Sequence, residues 1–240
     1  MLLSRFQAVN EMDKSKAVKR LVSEATPDFD FFFMTVMAAA MASFGLIAGS
    51  ETVVIGSMLL APIMSPILAL ALGLSMSSPR LVTRSFNTSI QAIGLVLITS
   101  ILATLMFSFG HFEITQVALE RHLPSLLSFA IAVVAGLAVV FALVQPQLSE
   151  TLPGIAVAVS LLPPLATVGV GLAHLRIDVA AGAAVMFLIN VAGIIFSGML
   201  AFSLMDVHHK KYLADSTIKK EDDRVKNEEE KVKKIAQEIQ

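Results

Sequence analysis

Cysteine is absent from the 240 residues. Disulfides, thiolate metal sites and cysteine nucleophiles are thereby excluded. Tryptophan is absent too, and the single tyrosine, Tyr212, lies in a charged C-terminal stretch. The usual interfacial belt of Trp and Tyr would have to be replaced by phenylalanine and charged anchors. Charge itself is scarce in the middle of the chain. Between Phe31 and Met205 only Glu51, Arg80, Arg84, Glu113, Glu120, Arg121, Glu150, Arg176 and Asp178 are charged, out of 18 basic and 19 acidic residues in all. A soluble domain carries about 25% charged residues, several times this density. With 55% hydrophobic residues and a mean hydropathy of +0.76, the chain cannot cover a water-soluble surface, and it has the opposite of a disordered composition. An all-α integral membrane protein is the expectation.

Other absences narrow the function. A net charge of −1 gives no long-range pull toward nucleic acid. No stretch reads as a P-loop, a dinucleotide fingerprint or a zinc helix, so no cofactor and no metal are expected. The first 25 residues mix five Lys/Arg with three acids and have no long apolar core, so no cleaved signal peptide is expected.

What is present is apolar sequence in six windows, each close to the 20 or so residues that cross a bilayer. They are Phe31–Gly49, Thr52–Leu74, Phe86–Phe109, Ser125–Val144, Leu152–Ala173 and Val179–Met205. The links between them are short, which pairs neighbouring helices antiparallel. With the N-terminus inside, the inner segments hold 16 Lys/Arg against two outside. Both termini are therefore expected on the cytoplasmic side of the membrane. The chain divides into an amphipathic cytoplasmic helix (1–27), two membrane units (28–124 and 125–205) and a charged cytoplasmic helix (206–240). In the first, Leu2, Leu3, Phe6, Val9, Val18, Leu21 and Val22 recur near helical spacing. They suit either the inner leaflet or the protein's own cytoplasmic face. In the last, Ile218, Val225, Val232 and Ile239 are seven apart, a weak coiled-coil seam on an otherwise solvated helix.

The second and fifth windows share three features in the same order. Each is preceded by Ser-Glu-Thr (50–52 and 149–151). Each carries two prolines at mid-depth, Pro62 and Pro66 in one, Pro163 and Pro164 in the other. Residues 65–74 then align with 163–172 at an offset of 98. This points to two three-helix repeats, each with its middle segment broken by prolines. If the broken segments cross the membrane, the repeats are inverted, as in many secondary transporters. If they are re-entrant hairpins, the repeats run parallel. Proline lacks an N–H and clashes with the carbonyl four residues back. Pro62, Pro66, Pro163 and Pro164 are thus expected to orphan carbonyls at Met58, Pro62, Val159 and Ser160. In lipid such groups persist only where protein, water or a solute satisfies them. Ser57, Ser65, Ser160 and Thr167 are hydroxyls near the breaks, and Asn190 is a lone amide within the last window. Asn190 either faces a cavity or, the better reading, bonds another helix. Glu51 and Glu150 suit helix N-terminal charge or, in the sharper reading, coupling to a proton or cation. A half-helix start at the break favours an anion. Stretches of small residues such as Gly45/Gly49 and Gly169/Gly171 allow close helix approach, and a homo-oligomer is plausible on the same ground.

Residues Val53-Val-Ile-Gly-Ser-Met-Leu-Leu-Ala-Pro-Ile-Met-Ser-Pro66 and Leu152-Pro-Gly-Ile-Ala-Val-Ala-Val-Ser-Leu-Leu-Pro-Pro164 resemble the two signature stretches of a prokaryotic membrane protein family. The family is known only as the domain of unknown function 389, or uncharacterised hydrophobic domain. The similarity runs from about Pro27 to Met205 and includes Gly45–Ser50 and Phe187-Leu-Ile-Asn190. It implies an integral membrane protein of bacteria or archaea and no particular activity. From the residues themselves, the leading expectation is a secondary transporter or facilitator of a small polar solute, with a carboxylate or other small anion as the candidate. A channel and a non-transporting oligomeric scaffold are the alternatives. No arrangement suited to an intramembrane enzyme falls within the windows.

Overall fold

A computed structural model describes residues 10–107, 115–120, 125–145, 148 and 161–238. Every element among them is helical: α1 (Glu11–Glu24), α2 (Phe29–Ile47), α3 (Glu51–Leu60), α4 (Met64–Ser75), α5 (Pro79–Phe107), α6 (Gln116–Glu120), α7 (Leu126–Val144), α8 (Leu162–Ala173), α9 (Ile177–Leu204), a 3-10 turn (Val207–Lys210) and α10 (Lys211–Glu238). Four of them, α2, α5, α7 and α9, are long and apolar enough to cross a membrane. A fifth crossing is available if α3 and α4, which meet at a 51° bend, are one span. The Ser149–Thr151 tripeptide and residues 152–160 of the fifth window lie outside the described residues, as do Leu2, Leu3, Phe6, Val9 and Ile239.

Local chemistry sets the helix ends. The Asp28 carboxylate accepts from the Phe31 N–H at 2.9 Å and starts α2; Ser125 does the same for α7 through the Ser128 N–H. Each satisfies one of the orphan donors of a first turn. The helix ends repeat a single device. At the α4–α5 junction the Ser78 N–H donates to the Gly73 carbonyl (2.9 Å), the Ser77 N–H donates to Leu74, and Ser77 takes φ 50. This is a Schellman corner. At the α8–α9 junction Arg176 donates to Gly171 (2.8 Å), Leu175 donates to Leu172, and Leu175 takes φ 57. Every member is displaced by 98 positions, as are the starts and ends of α4 and α8 and the starts of α5 and α9. The α2–α3 junction uses the same corner, with Ser50 donating to Gly45 and Gly49 at φ 64. The sequence suggested a link over 75–85, but only Met76–Ser78 are outside helices, because Pro79 opens α5 at the first position, where its missing N–H costs nothing.

Packing is inside-out relative to a soluble bundle. The buried face of α5 carries Ser85, Thr88, Ser89, Ser100 and Thr104, whereas Phe86, Ile90, Ile98, Leu102, Leu105 and Phe107 are exposed. Three of the hydroxyls donate to the carbonyl four residues back, Thr88 to Arg84, Ser89 to Ser85 and Thr104 to Ser100. Such a helix suits lipid outside and close helix contact inside. The two halves interlock: α4 packs on α9 and α8 packs on α5. A Cβ on Gly198 of α9 would lie 2.9 Å from Ala71 Cβ of α4, and a Cβ on Gly169 of α8 would lie 2.5 Å from Ser100 Cβ of α5. Adding 98 to 71 and 100 gives 169 and 198, so this is one contact made twice with the partners exchanged.

The bundle has two distinct ends. At one, α1 and α10 cover the start of α2, the α4–α5 corner and the end of α9. Arg224 meets Asp28 (2.7 Å), Ser78 donates to Asp215 (3.0 Å), Lys211 donates to the Ser77 carbonyl (2.8 Å) and Lys210 meets Glu11 (2.8 Å). Arg84 joins Thr26, the Ile218 carbonyl and Asp222. At the other end Phe44 packs edge-on against Phe107, and Thr115 donates to the Leu46 carbonyl. The apolar face of α1 (Val18, Leu21, Val22) is therefore spent on α4, α7 and α10. Of the weak seam in α10, Ile218 is buried within the protein and Val232 is exposed.

Candidate functional site

The α3–α4 break borders a cavity of about 490 Å³ that is also walled by α1, α2 and α7. Its inner surface is apolar: Met34, Met58, Leu68, Val139 and Leu143. Polar groups gather toward α1, where Arg20, Glu24, Asp28 and Asp30 line it. Glu24 is the joint between them and the break. Its Oε1 accepts from Arg20 Nε at 2.7 Å, and its Oε2 accepts from Ser65 Oγ at 3.2 Å. Beyond the break, a void of about 20 Å³ lies among Met58, Ala61, Ile63, Met64, Leu161 and Leu162. It is large enough for about one water molecule. The starts of α4 and α8 thus meet across it, and the larger cavity ends there.

The prolines act differently from the sequence expectation. Pro66 is the third residue of α4, and Pro163 and Pro164 are the second and third of α8. An N–H at these positions would have no helical partner in a first turn anyway, so all three sit where the missing donor costs their own helix nothing; Val159 and Ser160 lie outside the described residues. The Pro62 carbonyl, expected to be orphaned by Pro66, accepts from the Ser65 N–H at 3.3 Å. Pro62 does interrupt the chain: α3 stops at Leu60, and Ala61 takes an extended ψ of 117. Pro62 and Ser65 line the cavity. Ser57 does not, being fully buried with its Oγ donating to the Val54 carbonyl at 2.6 Å. Thr167 is fully buried in α8, with no hydrogen-bond partner among the described residues. Asn190 is buried in α9 and is not without a partner. Glu51 is exposed in the first turn of α3, at the end of the bundle away from α10. Ser160 and Glu150 lie outside the described residues. Asn87 and Gln91 are exposed on the outer face of α5.

The carboxylates of the cavity were hidden in the sequence because Glu24 belongs to a charged tail that reads as solvated. Only the fold-back of α1 onto α4 brings it to Ser65. Asp28 and Asp30 stand just before the first apolar window, a position that capping alone explains. Among the described residues no group of three or more His, Cys, Asp or Glu side chains is placed to hold a metal ion.

Comparison with known proteins adds a family and no activity. The chain is similar to an uncharacterised protein, MJ0678, of Methanocaldococcus jannaschii, with 26% identity over 213 residues. The match covers 82% of this chain and 64% of the relative, so the chain spans less than two thirds of that protein's length. No solved structure matches. The family model described as a domain of unknown function, DUF389, matches residues 58–196, from the last turn of α3 through most of α9. More than half of the sequence, including both helix starts that face the small void, lies within that match, and the protein belongs to this family.

Proposed function

We propose that the protein is a secondary transporter or facilitator of a small polar solute, built from two inverted three-helix repeats with six crossings. The observation that carries this reading is the cavity that runs from the charged α1–α10 end to the α3–α4 break and stops at the void between the starts of α4 and α8. A cavity that opens at one end only, with Ile63, Leu161 and Leu162 beyond its inner end, suits alternating access better than an open channel. Two further contacts support the topology. Residues 51–75 lead from the Thr115 end to the α10 end, since Ser78 reaches Asp215 while Leu46 reaches Thr115. The exchanged contact of Ala71 with Gly198 and Ser100 with Gly169 is what a two-fold relation between the halves requires. Because α5 starts and α9 ends beside α10, that axis would lie in the membrane plane, the arrangement of many transporters. On the Lys/Arg balance the α1–α10 end would face the cytoplasm, and the cavity would then open inward.

Uptake into proteoliposomes over a panel of labelled organic and inorganic solutes tests the proposal. Saturable flux that requires the protein is expected. Correctly inserted protein that moves none of them refutes it, and single-channel currents would replace the transporter reading with a channel.

A further inference from the structure

The cavity's chemistry selects among solutes. Its lining side chains include three carboxylates, Glu24, Asp28 and Asp30, and one guanidinium, Arg20. Arg20 is taken by Glu24 and Asp28 is taken by Arg224, both at 2.7 Å. Asp30 has no ion-pair partner among the described residues. Counting both arginines, the site keeps an excess of one negative charge. The backbone adds to it. Met58, Leu59, Leu60 and Ala61 line the cavity at the carboxyl end of α3. Pro62 offers no N–H to the Met58 carbonyl, and among the described residues no loop hydrogen bond reaches the carbonyls of Leu59 or Leu60. These carbonyls carry the negative end of the α3 dipole. Opposite them the start of α4 has lost donors, since Pro66 has none and the Ser65 N–H is used by Pro62.

We infer that the cavity binds a singly charged organic ammonium ion. This rests on the reading of the cavity as the solute site and replaces the anion expected from helix starts alone. The three N–H donors of a primary ammonium group match Glu24 Oε2, an α3 carbonyl and Asp30 in kind. The apolar part of the ligand lies against Met34, Leu68 and Val139. The volume, about 490 Å³, is in the range of small-molecule pockets, roughly 300–1,000 Å³, and far exceeds a bare alkali ion. The Arg20–Glu24–Ser65 chain gives the site its distinctive element: an ammonium group arriving at Glu24 competes with Ser65 for Oε2, so occupancy would loosen α1 from the start of α4.

The test uses the full chain in lipid nanodiscs with n-butylammonium and butyrate as matched probes of opposite charge, titrated calorimetrically. Saturable one-to-one binding of n-butylammonium and none of butyrate is expected. Glu24→Gln should weaken the affinity by about tenfold or more, as loss of a charge-assisted contact does, with Asp13→Asn on α1 as the unaffected control. If Glu24→Gln fails to melt cooperatively, Asp30→Asn carries the same expectation. Butyrate binding in place of n-butylammonium, saturation by sodium ion alone, or butylammonium affinity unchanged in both variants overturns the inference. The two readings separate cleanly. Butylammonium binding without proteoliposome flux leaves the cation site and removes transport. Anion flux without ammonium binding does the reverse.

Discussion

The Schellman corners invite a stability test, because the same glycine faces the next helix in each. A methyl group on Gly171 would stand 2.9 Å from the Ala180 nitrogen and 3.2 Å from its Cα and Cβ. Relaxed carbon contacts are about 3.5–4.0 Å, so the start of α9 has to retreat by roughly half an ångström. The obstacle is backbone, which cannot swing aside, and it is tied to the corner by the Arg176 N–H on the Gly171 carbonyl at 2.8 Å. Overpacking of this kind costs about 1–3 kcal/mol. Alanine returns up to about 1 kcal/mol of helix propensity, which leaves Gly171→Ala destabilising by up to about 2 kcal/mol. Gly94, within α5, is the control, since a Cβ there meets nothing within 4 Å; Gly94→Ala should gain up to about 1 kcal/mol. The propensity gain is common to both, so the two variants differ by about 1–3 kcal/mol, a difference that cancels most effects of the micelle. Titration with SDS in mixed micelles, followed by circular dichroism, measures it. Gly73→Ala, with Val82 N at 3.0 Å, should side with Gly171→Ala. If Gly171→Ala proves as stable as Gly94→Ala, the close corner is not what holds α8 to α9.

Three other outcomes are expected. Ser77 and Leu175 are exposed at equivalent corners, and the chain has no native cysteine; Ser77→Cys and Leu175→Cys should react with an impermeant maleimide from opposite sides of vesicles, and labelling from one side contradicts inverted repeats. Arg84→Leu removes the bonds to Thr26, Ile218 and Asp222; a loss of about 1–3 kcal/mol and earlier protease cleavage within 211–238 should follow, and an unchanged digestion pattern argues against Arg84 as the anchor of α10. The Lys14 hydrogen bond, with Lys210 next, pulls the Glu11 carboxyl down from 4.5 to about 2. A depressed folded value means the contact's stabilisation is complete above the ordinary carboxylate range and fades as pH falls from 4.5 toward 2. A carbon-detected NMR titration should find the low midpoint and see it rise in Lys14→Gln; a wild-type midpoint near 4.5 removes the contact from solution.

Periodicity and offsets carried far because they are backbone properties. The match of 65–74 with 163–172 extends into the corner, the positive φ at Ser77 and Leu175, and the first residue of α5 and α9. What escaped were features decided by distant parts of the chain. Prolines read as kinks when the helix is assumed continuous, yet Pro66, Pro163 and Pro164 sit in first turns. Nothing local separates the two cases. Glu24 looked like one charge among many on an amphipathic tail, and its role comes from Ser65, 41 positions away. The hydroxyls of α5 were equally silent, because a serine facing a helix and a serine facing water have the same spelling.

The interlocking of the halves has a consequence for biosynthesis. Ser100 lies in the first half of the chain, but the glycine that seats it, Gly169, is made 69 residues later; Ala71 waits still longer for Gly198. Until then, Ser100 of α5 and Ala71 of α4 lack the glycines that seat them. The first half cannot complete its packing as it leaves the ribosome. It must wait, incomplete, until synthesis of the second is done. Two separately expressed halves should thus accumulate only when made together.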